Sequence, residues 1–289
     1  MIARTETLPF VYSFNGVSYD LSARTHIMGI LNVTPDSFSD GGRFLDAELA
    51  VRQGLAMADE GADVIDVGGE STRPGAEPVS LDEECQRVIP VIEQLAAKTS
   101  VPLSIDTYKS EVAARALDAG ASIVNDISGL HADARLADVV ADHKASIVLM
   151  HIKGTPKTMQ VDPEYDDLIG EIRSYLREGI ARAESKGIRQ VLVDPGIGFG
   201  KKLTHNLEIF RNLRALRSLG YPILVGPSRK SFIGMISDVP VDRRLEGTAA
   251  AVAASIMNGA NVVRVHDVAE MKRVAEVVDA IVRAPAVER

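Results

Sequence analysis

VPLSIDTYKSEVAARALDAGASIVND (101–126) is a complete strand–helix–strand unit. The run 101–105 is apolar and ends at Asp106, and the run 121–125 ends at Asn125 and Asp126. Neither alternates in polarity. Strands buried on both faces of a parallel sheet read this way, because helices cover the outer side. Between them, residues 109–119 carry apolar side chains at three- and four-residue spacing, the period of a helix. Ala119-Gly120 then supplies a glycine where a helix ends in the left-handed conformation.

The same pattern extends in both directions. HIMGIL (26–31) ends at Asn32, and DVIDV (63–67) carries Asp66 and precedes Glu70. ASIVLM (145–150) ends at His151, and QVLV (190–193) at Asp194. YPILV (221–225) leads into Gly226, Ser228 and Lys230, and NVVRV (261–265) contains Arg264 and ends at His266. Helical periodicity fills 46–60, 82–98, 133–142, 166–186, 205–218, 246–258 and 267–283, and Gly61, Gly187, Gly220 and Gly259 follow helices as Gly120 does. An alternating pattern also suits an open doubly wound sheet. Eight strands, all with polar groups at their ends, favour closure into an α/β (β/α)8 TIM barrel, whose active site lies at the carboxyl ends of the strands. Residues 10–21 alternate about Asn15-Gly16, a hairpin signal, and are expected to lie over the barrel floor.

Composition narrows the function. The 289 residues suit one barrel domain with a short N-terminal extension, and leave no room for a fused second enzyme. Net charge is −8 and no Lys/Arg run is present, unlike the basic face of a nucleic-acid binder. Tryptophan is absent and aromatics make up 4%, which disfavours base-stacking platforms. No run approaches a membrane span, and the N-terminus lacks a secretory apolar region. The single cysteine, Cys85, permits no internal disulfide and reads as a half-buried helix residue, so a cytoplasmic location is expected. Any anion such an acidic chain binds must be met by local cations.

Two connections exceed what a turn needs, 32–45 and 68–81, and loops of this kind serve as lids or clamps. In GILNVTPDSFSDGG (29–42), Asn32 offers an amide oxygen, a hard ligand suited to Mg2+, and Phe38 is the one aromatic. In GGESTRPGAEPVS (68–80), Arg73 stands between Thr72 and Pro74 and offers a fork of donors matched to phosphate. Asp66, Asp106, Asp126 and Asp194 lie at strand ends. Carboxylates at a barrel mouth must be paired, hydrated or bound. They could hold a divalent metal, accept paired N–H donors of a heterocycle, or form salt bridges and caps. No HExxH or CxxC favours a transition metal. DPGIGFGK (194–201) fails the Walker pattern, having Pro195 at the first glycine position. GPSRKSFIG (226–234) follows strand seven, where this architecture often holds phosphate, but Lys230 there could instead bind a ring carbonyl or form a Schiff base. Arg264 and His266 are two apart on strand eight and so share a face.

Together these strings resemble the dihydropteroate synthase family, from about residue 24 onward. The resemblance rests on GILNVTPDSFSDGG, DVGGESTRPGA, SIDTYKSEVA, VNDISG, LMHIKGTPKTMQ, DPGIGFGK, GPSRKSFIG, EGTAAA and VRVHDV. Ile152 and Lys153 are its mildest departures. It implies condensation of 6-hydroxymethyl-7,8-dihydropterin diphosphate with 4-aminobenzoate, to give 7,8-dihydropteroate and diphosphate, with Mg2+ as cofactor. It places Asp106, Asn125, Met150, Asp194 and Lys230 around the pterin, and Asn32, Arg73, Arg264 and His266 on the diphosphate, with Asn32 touching the metal. Phe38, Thr72, Pro74, Phe199, Lys230 and Ser231 would shape the aminobenzoate site, and Lys230, Asp106, Arg264 and His266 would carry the chemistry. A homodimer through C-terminal helices is the family habit.

The residues agree with that implication. A pterin edge offers two parallel donors that one carboxylate, Asp194, can accept together. With anion binders in excess and no nucleophile–base pair, the expected mechanism is dissociative, with loop closure making aminobenzoate bind second. A corrinoid-dependent pterin methyltransferase has no use for STRPGA, SRKS or the Arg264–His266 pair, and a non-catalytic pterin carrier does not need them intact.

Overall fold

The computed structural model describes residues 9–34, 43–73 and 75–283, the side chains of 43–46 excepted. Phe38 and Pro74 therefore lie outside the described residues. The chain opens with a hairpin, β1 (Val11–Phe14) and β2 (Val17–Asp20). Asn15 and Gly16 both have positive φ, +49° and +77°. That is the geometry of the tight turn whose twist matches antiparallel strands.

Strand and helix then alternate as expected: β3 (His26–Asn32), α1 (Arg43–Asp59), β4 (Val64–Gly68), α2 (Leu81–Lys98), β5 (Leu103–Asp106), α3 (Ser110–Asp118), β6 (Ile123–Asp126), α4 (Leu136–Asp142), β7 (Ser146–Met150), α5 (Leu168–Ser185), β8 (Val191–Asp194), α6 (Leu203–Asn212), β9 (Leu224–Val225), α7 (Ser231–Ser237), α8 (Leu245–Met257), β10 (Val262–Val265) and α9 (Val268–Arg283). All five glycines expected at helix ends, 61, 120, 187, 220 and 259, have φ between +81° and +115°.

The eight barrel strands are parallel, in the order β8-β7-β6-β5-β4-β3-β10-β9. A bridge between Val193 and Ile223 joins β8 to the β9 end of the sheet and closes the ring. Alternation along each strand divides the side chains into two cores. Outward residues such as Ile65, Ile105, Val124, Ile147 and Val263 pack under the helices. Inward residues Met28, Val64, Ile123, Val148, Leu192, Leu224 and Val262 fill the barrel floor with Tyr12, Phe14 and Leu21 of the hairpin region. The Tyr12 hydroxyl donates to Val191 O at 2.7 Å. The hairpin thus plugs the amino-terminal mouth, leaving the carboxyl-terminal mouth for the site. Cys85 departs from the half-buried reading: it is fully packed on α2.

Candidate active site

Above the apolar floor the inward positions turn polar. Register aligns Asn32 with Gly68, Gly68 with Asp106, and Asp106 with Asn125. Gly68 has no side chain to fill the mouth. A Cβ there would lie 3.6 Å from Asp106 Oδ2 and 3.8 Å from Asn32 Oδ1, so these two oxygens border one small space. Met150 and Asp194 are aligned on β7 and β8. Met150 packs with Ile127, Ile152 and Met159, and Phe199 lies against that cluster.

Arg264 points into this ring. Its Nε donates to Asp66 Oδ2 at 2.6 Å and its Nη2 to Asp106 Oδ2 at 2.7 Å. Asn125 Nδ2 donates to the same Asp66 oxygen at 2.9 Å. Two carboxylates share one guanidinium, and the consequence falls on Asp106: burial raises it to about 7, against the pull of Arg264 and with the help of Asp66. Asp66 was legible as a strand-end acid, but its part in holding Arg264 and Asn125 was not. Its other oxygen, Oδ1, and Ser104 Oγ are buried without a partner among the described residues, so the pocket floor keeps open acceptor capacity.

Asp126 corrects the reading of four acids at the mouth. One residue beyond inward Asn125, it points outward, where it accepts from Ser128 N, Ser128 Oγ and Leu130 N at 2.6–2.7 Å. It is a turn-fixing carboxylate, and strand alternation excludes it from the site. Among the described residues no group of three or more His, Cys, Asp or Glu side chains is arranged to hold a metal ion, so the acids do not form a metal cage.

Asp194 and Lys230 act on one another electrostatically. Asp194 Oδ1 accepts from Gly196 N at 2.7 Å. Burial raises Asp194, and Lys230, the Gly196 N–H, Lys201 and Arg264 draw it back. Lys230 donates to Ile197 O and lies 4.3 Å above the Phe199 ring. Burial draws its ammonium down to about 8, with Asp194 opposing. Ser231, the first residue of α7, is exposed beside it.

His266 marks the outer end. Its backbone N–H donates to Ser228 Oγ at 3.2 Å, and that hydroxyl lies 2.9 Å from His266 Nδ1. Burial, then Arg264 and Arg229, lower His266 to about 4, and the charge of Arg73 is also felt there. Arg73 itself is exposed. Thr72 is half-buried beside it. Their loop is clamped at its base. Lys109 bridges Glu70 and Glu84 and donates to Val79 O at 2.6 Å, while Tyr108 donates to Glu70 at 2.9 Å. The loop reaches the segment after β7 through Gly75 N to Pro156 O, 3.1 Å, and Lys157 to Glu77, 2.7 Å.

The mouth gathers the carboxylates Asp66, Asp106 and Asp194, the carboxamide of Asn125 and the thioether of Met150 with the cations Arg264 and Lys230. Such a set suits a flat polar heterocycle and an anion. Known proteins resemble this chain along most of its length. A family model described as pterin binding enzyme matches residues 28–266. A dihydropteroate synthase of Synechocystis sp. is 50% identical over 268 residues, covering 92% of this chain and 93% of the relative. The Yersinia pestis dihydropteroate synthase solved with a sulfonamide drug complex is 43% identical, with a TM-score of 0.89 over 95% of this chain and 100% of its own. The Xanthomonas albilineans dihydropteroate synthase with 4-aminobenzoic acid is 44% identical, with a TM-score of 0.89 over 96% and 100%.

Proposed function

The chain belongs to the dihydropteroate synthase family of pterin-binding enzymes, and from that premise we propose that it condenses 6-hydroxymethyl-7,8-dihydropterin diphosphate with 4-aminobenzoate by dissociative substitution. The observation that carries the reading is the gathering, at the carboxyl-terminal mouth of the barrel, of Asp66, Asp106 and Asn125 around the Arg264 guanidinium, with Asp194 and Lys230 acting on one another beside them.

In this reading Asp194 accepts the paired donors of the pterin edge, Lys230 donates to a ring acceptor, and Met150 packs on the ring. Arg264, neutral His266 and Arg73 take up the charge that grows on the departing diphosphate. Stabilising such charge from preorganised donors is often the largest catalytic contribution. The pterin methylene left behind is electron-poor, and in this reading the carboxylates of Asp106 and Asp194 favour it. The arylamine then attacks from the side of Phe199, Ser231 and Thr72, completed by Phe38 and Pro74. Asn32 presents a hard amide oxygen beside the space above Gly68, a donor that fits Mg2+; Asn32 would help hold such an ion, which would supply neutralisation of leaving-group charge.

We further propose sulfonamide competition at the aminobenzoate site, a cytoplasmic location, and a homodimer through the C-terminal helices. Supporting these are the likeness to the Yersinia pestis sulfonamide complex, the absence among described residues of a helix able to cross a membrane, and exposed apolar side chains on α8 and α9.

The test is diphosphate release from the pterin substrate with Mg2+, with and without 4-aminobenzoate, for wild type and Arg264→Ala. Release coupled to dihydropteroate, and at least about a hundredfold slower in the variant, is expected. Tight pterin binding without release by the wild type would mean a pterin carrier instead.

A further inference from the structure

The loop between β8 and α6 holds a buried cation that this chemistry does not use. Lys201 is 3% exposed. Its Nζ lies 2.9 Å from His151 Nδ1, donates to Phe199 O at 2.9 Å, and is 3.4 Å from His151 O. Three acceptors match the three N–H bonds of an ammonium. His151 is suited to accept. Burial first and the Lys201 charge second push its titration down to about 2, with Lys153 and His131 adding to the effect. The imidazole is therefore neutral and presents a lone pair.

The charged groups acting on Lys201 are Asp194 and Lys230. Those acting on Asp194 are Lys230, Lys201 and Arg264. Gly196 separates the two: its N–H donates to Asp194 Oδ1, and a Cβ on it would lie 3.3 Å from Lys201 Nζ and 1.9 Å from His151 O. Glycine is required here, because at φ +70° a Cβ would overlap His151 O, and it leaves one backbone unit between the Asp194 carboxylate and the Lys201 ammonium. Lys201 also holds the carbonyl of Phe199, whose ring lies under Lys230.

We propose that Lys201 is a positioning residue of the condensation: a buried ammonium behind Asp194 that keeps this carboxylate ionised for the paired N–H donors of the pterin. The inference rests on Asp194 being the pterin acceptor. Its physical basis is that burial penalises a lone carboxylate, while a nearby cation in a poorly solvated region offsets the penalty. Burial also works against Lys201, drawing its titration well below the usual lysine range. The three acceptors oppose that trend.

The test uses the whole chain. Binding of 6-hydroxymethyl-7,8-dihydropterin is measured by calorimetry from pH 5 to 9 for wild type and Lys201→Met, an uncharged side chain of similar length. The acid limb of affinity is expected to move up by about one pH unit, with binding weaker by up to about tenfold on the acid side of that limb. A folded variant whose limb stays in place would reduce Lys201 to a packing role and overturn the proposal. A second measurement does not depend on the variant folding. The lysine 15Nζ resonance of Lys201 in the wild type must be that of an ammonium at pH 7, and an amine resonance there equally overturns it. A wild type that binds no pterin at any pH removes the reading of Asp194 itself.

Discussion

His266 shows how one residue of the rim carries a pH signature. Its folded-state titration near 4 lies below the ordinary 6.5. As pH falls, the unfolded chain takes up this proton first. The stability tied to neutral His266 is complete above about pH 6.5 and is lost progressively as pH falls toward 4. Asp106 has the opposite sign: its folded carboxyl holds a proton up to about 7, so its contribution is present below about pH 4 and lost as pH rises through 7. The two overlap, and a variant separates them. In His266→Asn the stability change from pH 7 to pH 5, measured by urea unfolding, is expected to be more favourable than in wild type by about 2 kcal/mol. An unchanged difference would mean that His266 is charged in the native protein. At this scale the sequence was half legible. Asn125 and Asp126 are neighbours of similar polarity, and strand alternation alone sends one to the pocket and the other to a turn. Asp66 was visible as an acid, but Arg264 comes from a strand 198 positions away.

The elements were more legible where their period is long. The helices expected at 82–98, 246–258 and 267–283 are within a residue of α2, α8 and α9. Some short elements were not. α7 has seven residues and no side-chain cap, too little for a period to declare itself. The helix expected over 205–218 ends at Asn212 and continues as a tighter 3-10 turn over Leu213–Leu219. The strand expected over 221–225 shrinks to Leu224–Val225, because Pro222 has no N–H and the Ile223 N–H is taken by Asn261 Oδ1 at 3.0 Å. The hairpin, by contrast, declares itself by Asn-Gly alone. Its Phe14 is buried in the barrel floor, at the end away from the site. Phe14→Ala is expected to cost about 3–5 kcal/mol of unfolding free energy, leaving KM for both substrates within about twofold of wild type. A large KM change would show that floor and mouth are coupled.

For the whole molecule, α8 and α9 pack on each other and leave Met257, Val277 and Ile281 exposed, the last two one helical turn apart. Exposed apolar side chains of this size on adjoining helices are what a second copy would cover. Sedimentation at micromolar concentration is expected to give twice the chain mass, falling toward the chain mass in Ile281→Glu; a wild-type monomer would sink the dimer. The sequence by itself determined the barrel class, the end of the barrel that bears the site, and the residue types there. Apolar runs, glycine punctuation and polar strand ends are local patterns that require no partner. Only the tertiary structure decided how the charges are spent: Arg264 between Asp66 and Asp106, Lys201 behind Asp194, and Asp126 turned away. The reason is physical. A strand fixes which side its residues face, but what a buried charge meets depends on the closure of the ring, and that brings together strands far apart in the chain.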